Sequence, residues 1–244
     1  MTVSDPSSDP GGGALLLVTA TLQEMRAVLA PFGGASNLVT LQPRVLRAGG
    51  QSFVLLVTGV GPLNAAMALG RVVGSDLTVR GVVNLGIAGS FDCRTLPVLG
   101  RVVVQEEIWP EIGLRTASGL DLQALCTGLG EGQEALVQNR LDLTPEAAAR
   151  RLGLTLPGHW AHVKSLTVAG VTGTPAEAER LAGRYGVHTE NMEGFALAWV
   201  SLREGLPFLE VRSVSNQVGS RNKRDWDIQG SLSGLGEMSR LLLR

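Results

Sequence analysis

The chain has 244 residues, 44% of them hydrophobic, and a formal net charge of −1. That length builds one large α/β domain or two small ones, with enough buried surface to need no disulfide or metal staple. The near-neutral charge gives no footing for nucleic acid or an acidic membrane surface, and no apolar run approaches the length of a membrane span.

Residues 1–13 (MTVSDPSSDPGGG) lack the charged start and apolar stretch of a secretion signal; they read as a disordered tail ahead of a single domain over 14–244. Ala14–Val18 is the first run suited to a buried strand. After Thr21, the spacing of Leu22, Met25, Val28, Leu29 and Phe32 predicts a helix with one apolar face, and Thr21 with Glu24 makes a capping-box pattern at its start. Phe53–Val57 predicts a strand, Pro62 the first position of a second helix, and Gly81–Leu85 and Arg101–Val104 two further strands. Little periodicity follows until Thr144-Pro145, which starts a helix ending before Gly153. Val163–Val168 is a strand. Thr174-Pro175 opens a helix carrying Ala178, Leu181, Ala182 and Tyr185, with Gly186 as its end. The run from about Met192 to Glu204 is a helix stopped by Gly205, and Phe208–Val214 is the last strand. Strand–helix alternation predicts an α/β fold with a mostly parallel sheet covered by helices.

In such sheets ligands bind beyond the carboxyl ends of the strands. Glu24, Gly59–Asn64, Gly86–Ser90, the 168–174 turn and Ser215–Gly219 all follow predicted strands, so they converge on one rim. The glycine turn Thr58–Pro62 brings backbone N–H groups toward an anion, or is simply a tight turn. Asn64 replaces the third glycine of a dinucleotide fingerprint and no Walker-type lysine follows, which argues against dinucleotides and nucleoside triphosphates. Gly86-Ile87-Ala88-Gly89-Ser90 reads as a second glycine turn. Periodicity alone makes Glu24 a helix cap, although the same carboxylate lies on the rim and can hold a water. Glu193, among Met, Gly, Phe and Ala at a helix start, needs partners. It is either an ordinary first-turn glutamate or a bidentate acceptor for two adjacent hydroxyls. Asn216 either builds a turn or offers one donor and one acceptor to a purine edge. The basic run Ser220–Trp226 reads as solvated surface. His159 and His162 lack a metal-site pattern, Glu106 and Glu107 carry no expected catalytic role, and Cys93 and Cys126 read as reduced thiols of a cytoplasmic protein.

Five stretches, TATLQEM, TGVGPLNAA, NLGIAGSF, NMEGFALA and VRSVSNQVG, together resemble the nucleoside phosphorylase/hydrolase superfamily over about residues 14–230. That group holds purine nucleoside phosphorylases and 5′-methylthioadenosine/S-adenosylhomocysteine nucleosidases. The strings VTGT, ENMEGFA and SNQVGSRNKRDWDI are similar to its futalosine-hydrolase branch, which serves an alternative route to menaquinone. The resemblance implies a three-layer α/β/α fold with a central mixed, mostly parallel sheet, a homo-oligomer, a small nucleoside substrate, and neither cofactor nor metal. It implies that Glu24 activates a water, that Met192 and Glu193 bind the ribose, and that Gly89 and the 168–174 turn, with Val168 and Thr172, lie along the substrate. Asn216 stands where many members have a proton-donating aspartate, and Asn84 where phosphorylases have a phosphate-binding arginine. An amide is no general acid, but its NH₂ donates to a 6-oxo group while its carbonyl accepts from a protonated N7. The expected reaction is therefore hydrolysis of a 6-oxopurine nucleoside such as futalosine. A methylthioadenosine-type or aminofutalosine-type nucleosidase and a phosphorylase are the alternatives. Arg221 or Arg224 is expected to meet the carboxylate that futalosine carries on its 5′ side.

Overall fold

The computed structural model describes residues 13–117, 119–123 and 139–243. The expected tail, Gly13 apart, and Cys126 lie outside the described residues. Among the described residues the central sheet has nine strands: β1 (Ala14–Thr19), β2 (Arg44–Ala48), β3 (Gln51–Val57), β4 (Val79–Ser90), β5 (Arg101–Ile108), β8 (Arg140–Asp142), β9 (Ala161–Thr167), β10 (Thr189–Asn191) and β11 (Phe208–Gln217). A separate pair, β6 (Leu114–Thr116) and β7 (Gly119–Asp121), lies outside it. The main order is β10-β9-β5-β11-β4-β1-β3-β2, with β8 on the side of β5. Pairing is mixed and mostly parallel, as the sequence predicts.

Alternating residues of β1 feed two cores. Leu16 and Val18 pack with α2 (Pro62–Val73) and α5 (Gly194–Arg203). Leu15 and Leu17 pack with α1 (Leu22–Leu29), α3 (Pro145–Leu152) and α6 (Ile228–Leu242). Both faces of the strand are thus buried, which explains its unbroken apolar run. A third small core joins β9 to α4 (Pro175–Tyr185) through Leu166 and Leu181. No described helix is long and apolar enough to cross a membrane.

The sheet does one thing that strand periodicity does not foretell. β10 pairs with β9 on one side and with the end of β4 on the other, so β4, β11, β5, β9 and β10 close into a ring. Along one edge β4 pairs with β1 only as far as Asn84, and with β10 only at Gly89 and Ser90. Between them the edge of β4 from Leu85 to Ala88 has no strand partner. This gap positions the site.

Several expected boundaries move, among them that of β5, which runs to Ile108 rather than Val104. Gly86–Ser90 is not a turn but the continuation of β4, and β11 runs to Gln217 rather than ending at Val214. α5 starts at Gly194, two residues later than periodicity suggests, with Glu193 at its N-cap; the Asn191 side chain accepts from the N–H groups of Glu193 and Gly194 at 2.9 and 2.7 Å and holds the chain out of the helix up to that point. The sequence reading also missed α6. Its glycines and serines dilute the helical signal, yet they allow close packing: a Cβ on Gly236 would stand 2.8 Å from the carbonyl oxygen of Ala27 in α1.

Candidate active site

Glu24 enters the gap from the first turn of α1. One of its oxygens, Oε2, accepts from the Thr21 N–H at 2.9 Å and from the Thr21 hydroxyl at 2.8 Å, while the Glu24 N–H donates to that hydroxyl at 3.2 Å. The capping box read from the sequence is present. The other oxygen, Oε1, accepts from the Ile87 N–H at 3.1 Å, a donor that the gap leaves without a strand partner. Glu24 therefore caps its helix, closes the gap and lines the cavity at once.

Glu193 is 5% exposed. Its Oε1 accepts from the Gly61 N–H at 3.0 Å. The glycine turn after β3 does present a backbone N–H to an anion, and that anion is the protein's own carboxylate. Gly61 sits at φ 101°, a conformation that L side chains rarely adopt. Burial pushes the Glu193 carboxyl above its ordinary value; Arg212 and the Gly61 N–H oppose that, and Glu24 and Glu210 add to it.

Arg212 is the residue that the sequence reading did not single out. It lies inside the last long strand and is 1% exposed. Its Nε donates to Glu210 Oε1 at 2.8 Å, its Nη2 to Asn191 Oδ1 at 3.3 Å, and its Nη1 to the Ile87 carbonyl at 3.4 Å. Nη1 also stands 3.8 Å from Glu193 Oε2. To reach the gap the guanidinium passes over Gly86, its in-register neighbour on β4. A Cβ at Gly86 would overlap Nη1 and lie 3.1 Å from Glu24 Oε1. Burial lowers the Arg212 pKa, but Glu210, Glu193 and Glu24 outweigh it and leave the guanidinium more firmly protonated than usual.

Behind Arg212 lies a buried polar cluster. Asn191 Nδ2 donates to Glu107 Oε1 at 2.6 Å and to Ser165 Oγ at 2.8 Å, and the Thr167 hydroxyl donates to Glu107 Oε2 at 2.7 Å. Burial and the facing Glu210 push the Glu107 carboxyl well above its ordinary value, and burial raises Glu210 too, although Arg212 beside it pulls the other way. Gly194 is required here, since a Cβ would come within 2.6 Å of Glu210 Oε2. The cluster fixes the chain on either side of Glu193 from below. Glu106, its neighbour, instead pairs with Arg140 and Lys164.

At the other end of the cavity a β-bulge at Ser215 shifts the register, so that Val214 pairs with Ala88 but Asn216 with Gly89. The bulge turns Asn216 to the side of the sheet that Gly89 faces. Ser215 Oγ donates to Asn216 Oδ1 at 2.7 Å, and Asn216 Nδ2 donates to the Gln217 carbonyl at 3.1 Å. Trp226 bridges to Asn216, donates its Nε1–H to the Ser220 carbonyl at 3.1 Å, and has the Arg221 guanidinium 5.7 Å from its ring centre.

Of the expected site residues, Glu24, Gly89, Thr172, Met192, Glu193, Asn216 and Arg221 line one cavity of about 270 Å³. Val168 does not; its side chain lies in the small core with Ile108, Leu166, Leu181 and Val187, and Val171 reaches the cavity instead. Asn84 is buried inside β4 and does not line the cavity either. A guanidinium is present after all, from Arg212, but it is committed to Glu210 and Glu193. The basic run is exposed from Arg221 to Trp226, as expected, and Arg221 and Trp226 also line the mouth of the cavity. No cluster of His, Cys, Asp and Glu among the described residues is arranged to hold a metal.

The phosphorylase superfamily matches residues 16–237, and the chain belongs to it. A futalosine hydrolase of Thermus thermophilus is 36% identical over 88% of this chain and 90% of its own length. One from Streptomyces coelicolor is 32% identical over 91% of each. Among solved structures, a Helicobacter pylori 5′-methylthioadenosine/S-adenosylhomocysteine nucleosidase variant with 5′-methylthioadenosine bound superposes with a TM-score of 0.74 at 17% identity, covering 94% of this chain and 97% of that one. The native futalosine hydrolase of Helicobacter pylori does so at 0.69 and 15%, covering 93% and 96%; these two likenesses concern the fold. Within the superfamily the chain belongs with the futalosine hydrolases and is an N-glycosyl hydrolase.

Proposed function

We propose that the chain cleaves the N-glycosidic bond of a 6-oxopurine nucleoside with water, and that its substrate is futalosine, giving hypoxanthine and dehypoxanthine futalosine for menaquinone synthesis in the cytoplasm. The observation that carries this reading is the meeting of Glu24, Glu193 and Asn216 around one cavity at the break in β4. Glu193 accepts from the ribose diol beside Met192 and sets negative charge next to the sugar as it becomes oxocarbenium-like. Glu24 keeps lone pairs beyond those spent on Thr21 and Ile87, and uses one to hold the attacking water and take its proton. Asn216 stabilises the departing base over the Gly89 floor, flanked by the turn carrying Thr172. Arg221, beside Trp226, meets the carboxylate on the 5′ side.

The charge balance supports water rather than phosphate as the nucleophile. Arg212, the one buried guanidinium among the described residues, is already committed to Glu210 and Glu193 with Glu24 nearby, so an incoming phosphate finds carboxyl groups and no free buried cation. The chain works as a homo-oligomer in this reading, with Val60, Leu63 and Met67, all exposed on or beside α2, as the apolar surface that supports it.

The test is to incubate the protein with futalosine, inosine and 5′-methylthioadenosine in phosphate-free buffer and identify the released base by chromatography. Hypoxanthine from futalosine is the expected result. Release of adenine in preference, or release only after phosphate is added, overturns the reading.

A further inference from the structure

Glu190 is a carboxylate in the cavity wall that the proposed reaction leaves without a task. It is 7% exposed and lines the same cavity as Glu24, Glu193 and Asn216. Among the described residues no cation pairs with it. Its partners are both on Thr172: the backbone N–H donates to Oε1 at 3.0 Å, and the hydroxyl donates to Oε2. An ionised carboxylate offers about four acceptor positions, and these two bonds leave the rest free. Burial pushes the carboxyl up, the Thr172 bonds pull it down, and Glu111 pushes it up again. A buried carboxyl with open lone pairs, no counter-ion and a rigid two-point anchor is costly for a structural purpose alone.

Its place in the sheet says what it faces. Gly89 pairs with Glu190 of β10 on one side and with Asn216 of β11 on the other. Residues directly opposite in neighbouring strands point to the same face, so Glu190 and Asn216 rise from the same floor with a glycine between them. Two strand spacings separate their backbones by about 10 Å. Gly89 has no side chain to fill that interval, and a Cβ there would already press on Val218 and, at 3.2 Å, on Asn216 Nδ2. In the pose considered, a flat base lies over Gly89 beside Val218, with the Asn216 amide at one flank and the Glu190 carboxyl at the other.

The two flanks have complementary chemistry. The Asn216 amide suits the O6 and N7 edge. A carboxylate on the far side of O6 meets N1, which carries a hydrogen in a 6-oxopurine and only a lone pair in a 6-aminopurine. We propose that Glu190 is a specificity-determining residue that accepts the N1–H of the purine, with Thr172 holding its carboxyl in place. This rests on the reading of the chain as a 6-oxopurine nucleoside hydrolase. Where N1 has no hydrogen, the carboxylate meets the nitrogen lone pair and binding is lost. A site built around a substrate N–H rejects the analogue lacking it by factors far above those of a simple apolar pocket.

The experiment compares wild type, Glu190→Gln and Thr172→Val on a pair of nucleosides with the same 5′ group, one carrying hypoxanthine and the other adenine. Each kcat/KM is measured, with a melting curve as a folding check. Glu190→Gln keeps an acceptor for the Thr172 N–H but offers an NH₂ toward N1. It is expected to lower kcat/KM on the 6-oxo substrate by about 10²-fold while holding or raising that on the 6-amino one, so the preference collapses. Thr172→Val keeps the N–H anchor and is expected to shift the ratio the same way by a smaller factor. If both substrates fall by one common factor, Glu190 only anchors its turn, and the proposal is overturned. An unchanged ratio in the two variants overturns it as well. If wild type itself prefers the adenine nucleoside, the 6-oxopurine reading falls first and Glu190 with it, a result plainly different from a wild type that prefers the 6-oxo substrate and variants that still do.

Discussion

The two ends of the cavity are built from different materials. At the proposed sugar end, Glu24 and Glu193 are each held by backbone N–H groups and face a buried Arg212 that is itself locked by Glu210 and Asn191. At the proposed base end, Asn216 is held by its chain neighbours Ser215 and Gln217, and Glu190 by Thr172 alone, with no cation paired to either among the described residues. The sugar end is fixed charge in a water-poor setting, where an electrostatic effect on a developing cation is greatest. The base end is a set of oriented donors and acceptors, which select by mismatch rather than by field. Catalytic power and substrate choice therefore sit on separate structural supports, and changes at one end should leave the signature of the other intact.

The strongest way to break this division is Glu24→Gln. A Gln has one carbonyl where Glu24 has two acceptor oxygens, so it serves either the Thr21 N–H or the Ile87 N–H but not both. Stability should fall by only about 1 kcal/mol, while kcat should fall by roughly 10²–10⁴-fold if Glu24 takes the proton of water. Thermal melting and steady-state kinetics on one preparation separate the two effects. A drop in melting temperature with kcat nearly intact leaves Glu24 a cap and nothing more.

Next comes Gly86→Ala. The new Cβ overlaps Arg212 Nη1, and the guanidinium must leave its place between Glu193 and the Ile87 carbonyl. Displacing a site charge in this way is expected to lower kcat/KM by about 10²-fold on 6-oxo and 6-amino substrates alike. A change in the ratio between them would mean that the two ends are coupled.

The pH profile gives a smaller effect with a definite sign. Glu193 acts as a carboxylate, and burial raises its pKa above the ordinary 4.5. Activity should therefore fall on acidification with an inflection above 4.5, reaching about tenfold one pH unit below it. An acid limb with its inflection at or below 4.5 would contradict this. Stability moves the other way. The fold holds protons on Glu107 and Glu210 more tightly than the unfolded chain does. That contribution is complete below the unfolded value and is lost as pH rises through the folded ones. The smallest effect is expected for Arg221→Ala, an exposed residue at the mouth. It should raise KM by about 2–5-fold for a substrate with a 5′ carboxylate and leave inosine unaffected, because exposed ion pairs are weak. Equal KM values on futalosine would remove Arg221 from recognition.

Much of the site was legible because its parts are short strings at strand ends. Thr21 to Glu24 showed a cap, and the structure adds the Ile87 N–H as a second use of the same carboxylate. Met192-Glu193-Gly194 announced a glutamate in need of partners, though not that Gly61 and Arg212 supply them. Glu107, Glu210 and Arg212 were not legible as a group. Glu210 and Arg212 sit in a strand that reads as an apolar run with stray charges, Glu107 falls past the predicted strand end at Val104, more than one hundred positions separate it from the others, and nothing local marks any of the three as buried and paired.

By itself the sequence determined the alternation of elements, the two-faced burial of β1, and the convergence of five segments on one rim, since these follow from local periodicity and from where turns fall. The tertiary structure decided the rest. It carried β4 past the end of β1 to pair with β10, opened the gap at Leu85–Ala88, and gave the orphaned Ile87 N–H and carbonyl to Glu24 and Arg212. The reason is physical: a backbone group left without a strand partner has to be satisfied by whatever side chain the fold brings to it. Which side chain that is depends on register and ring closure, which no local window of residues contains.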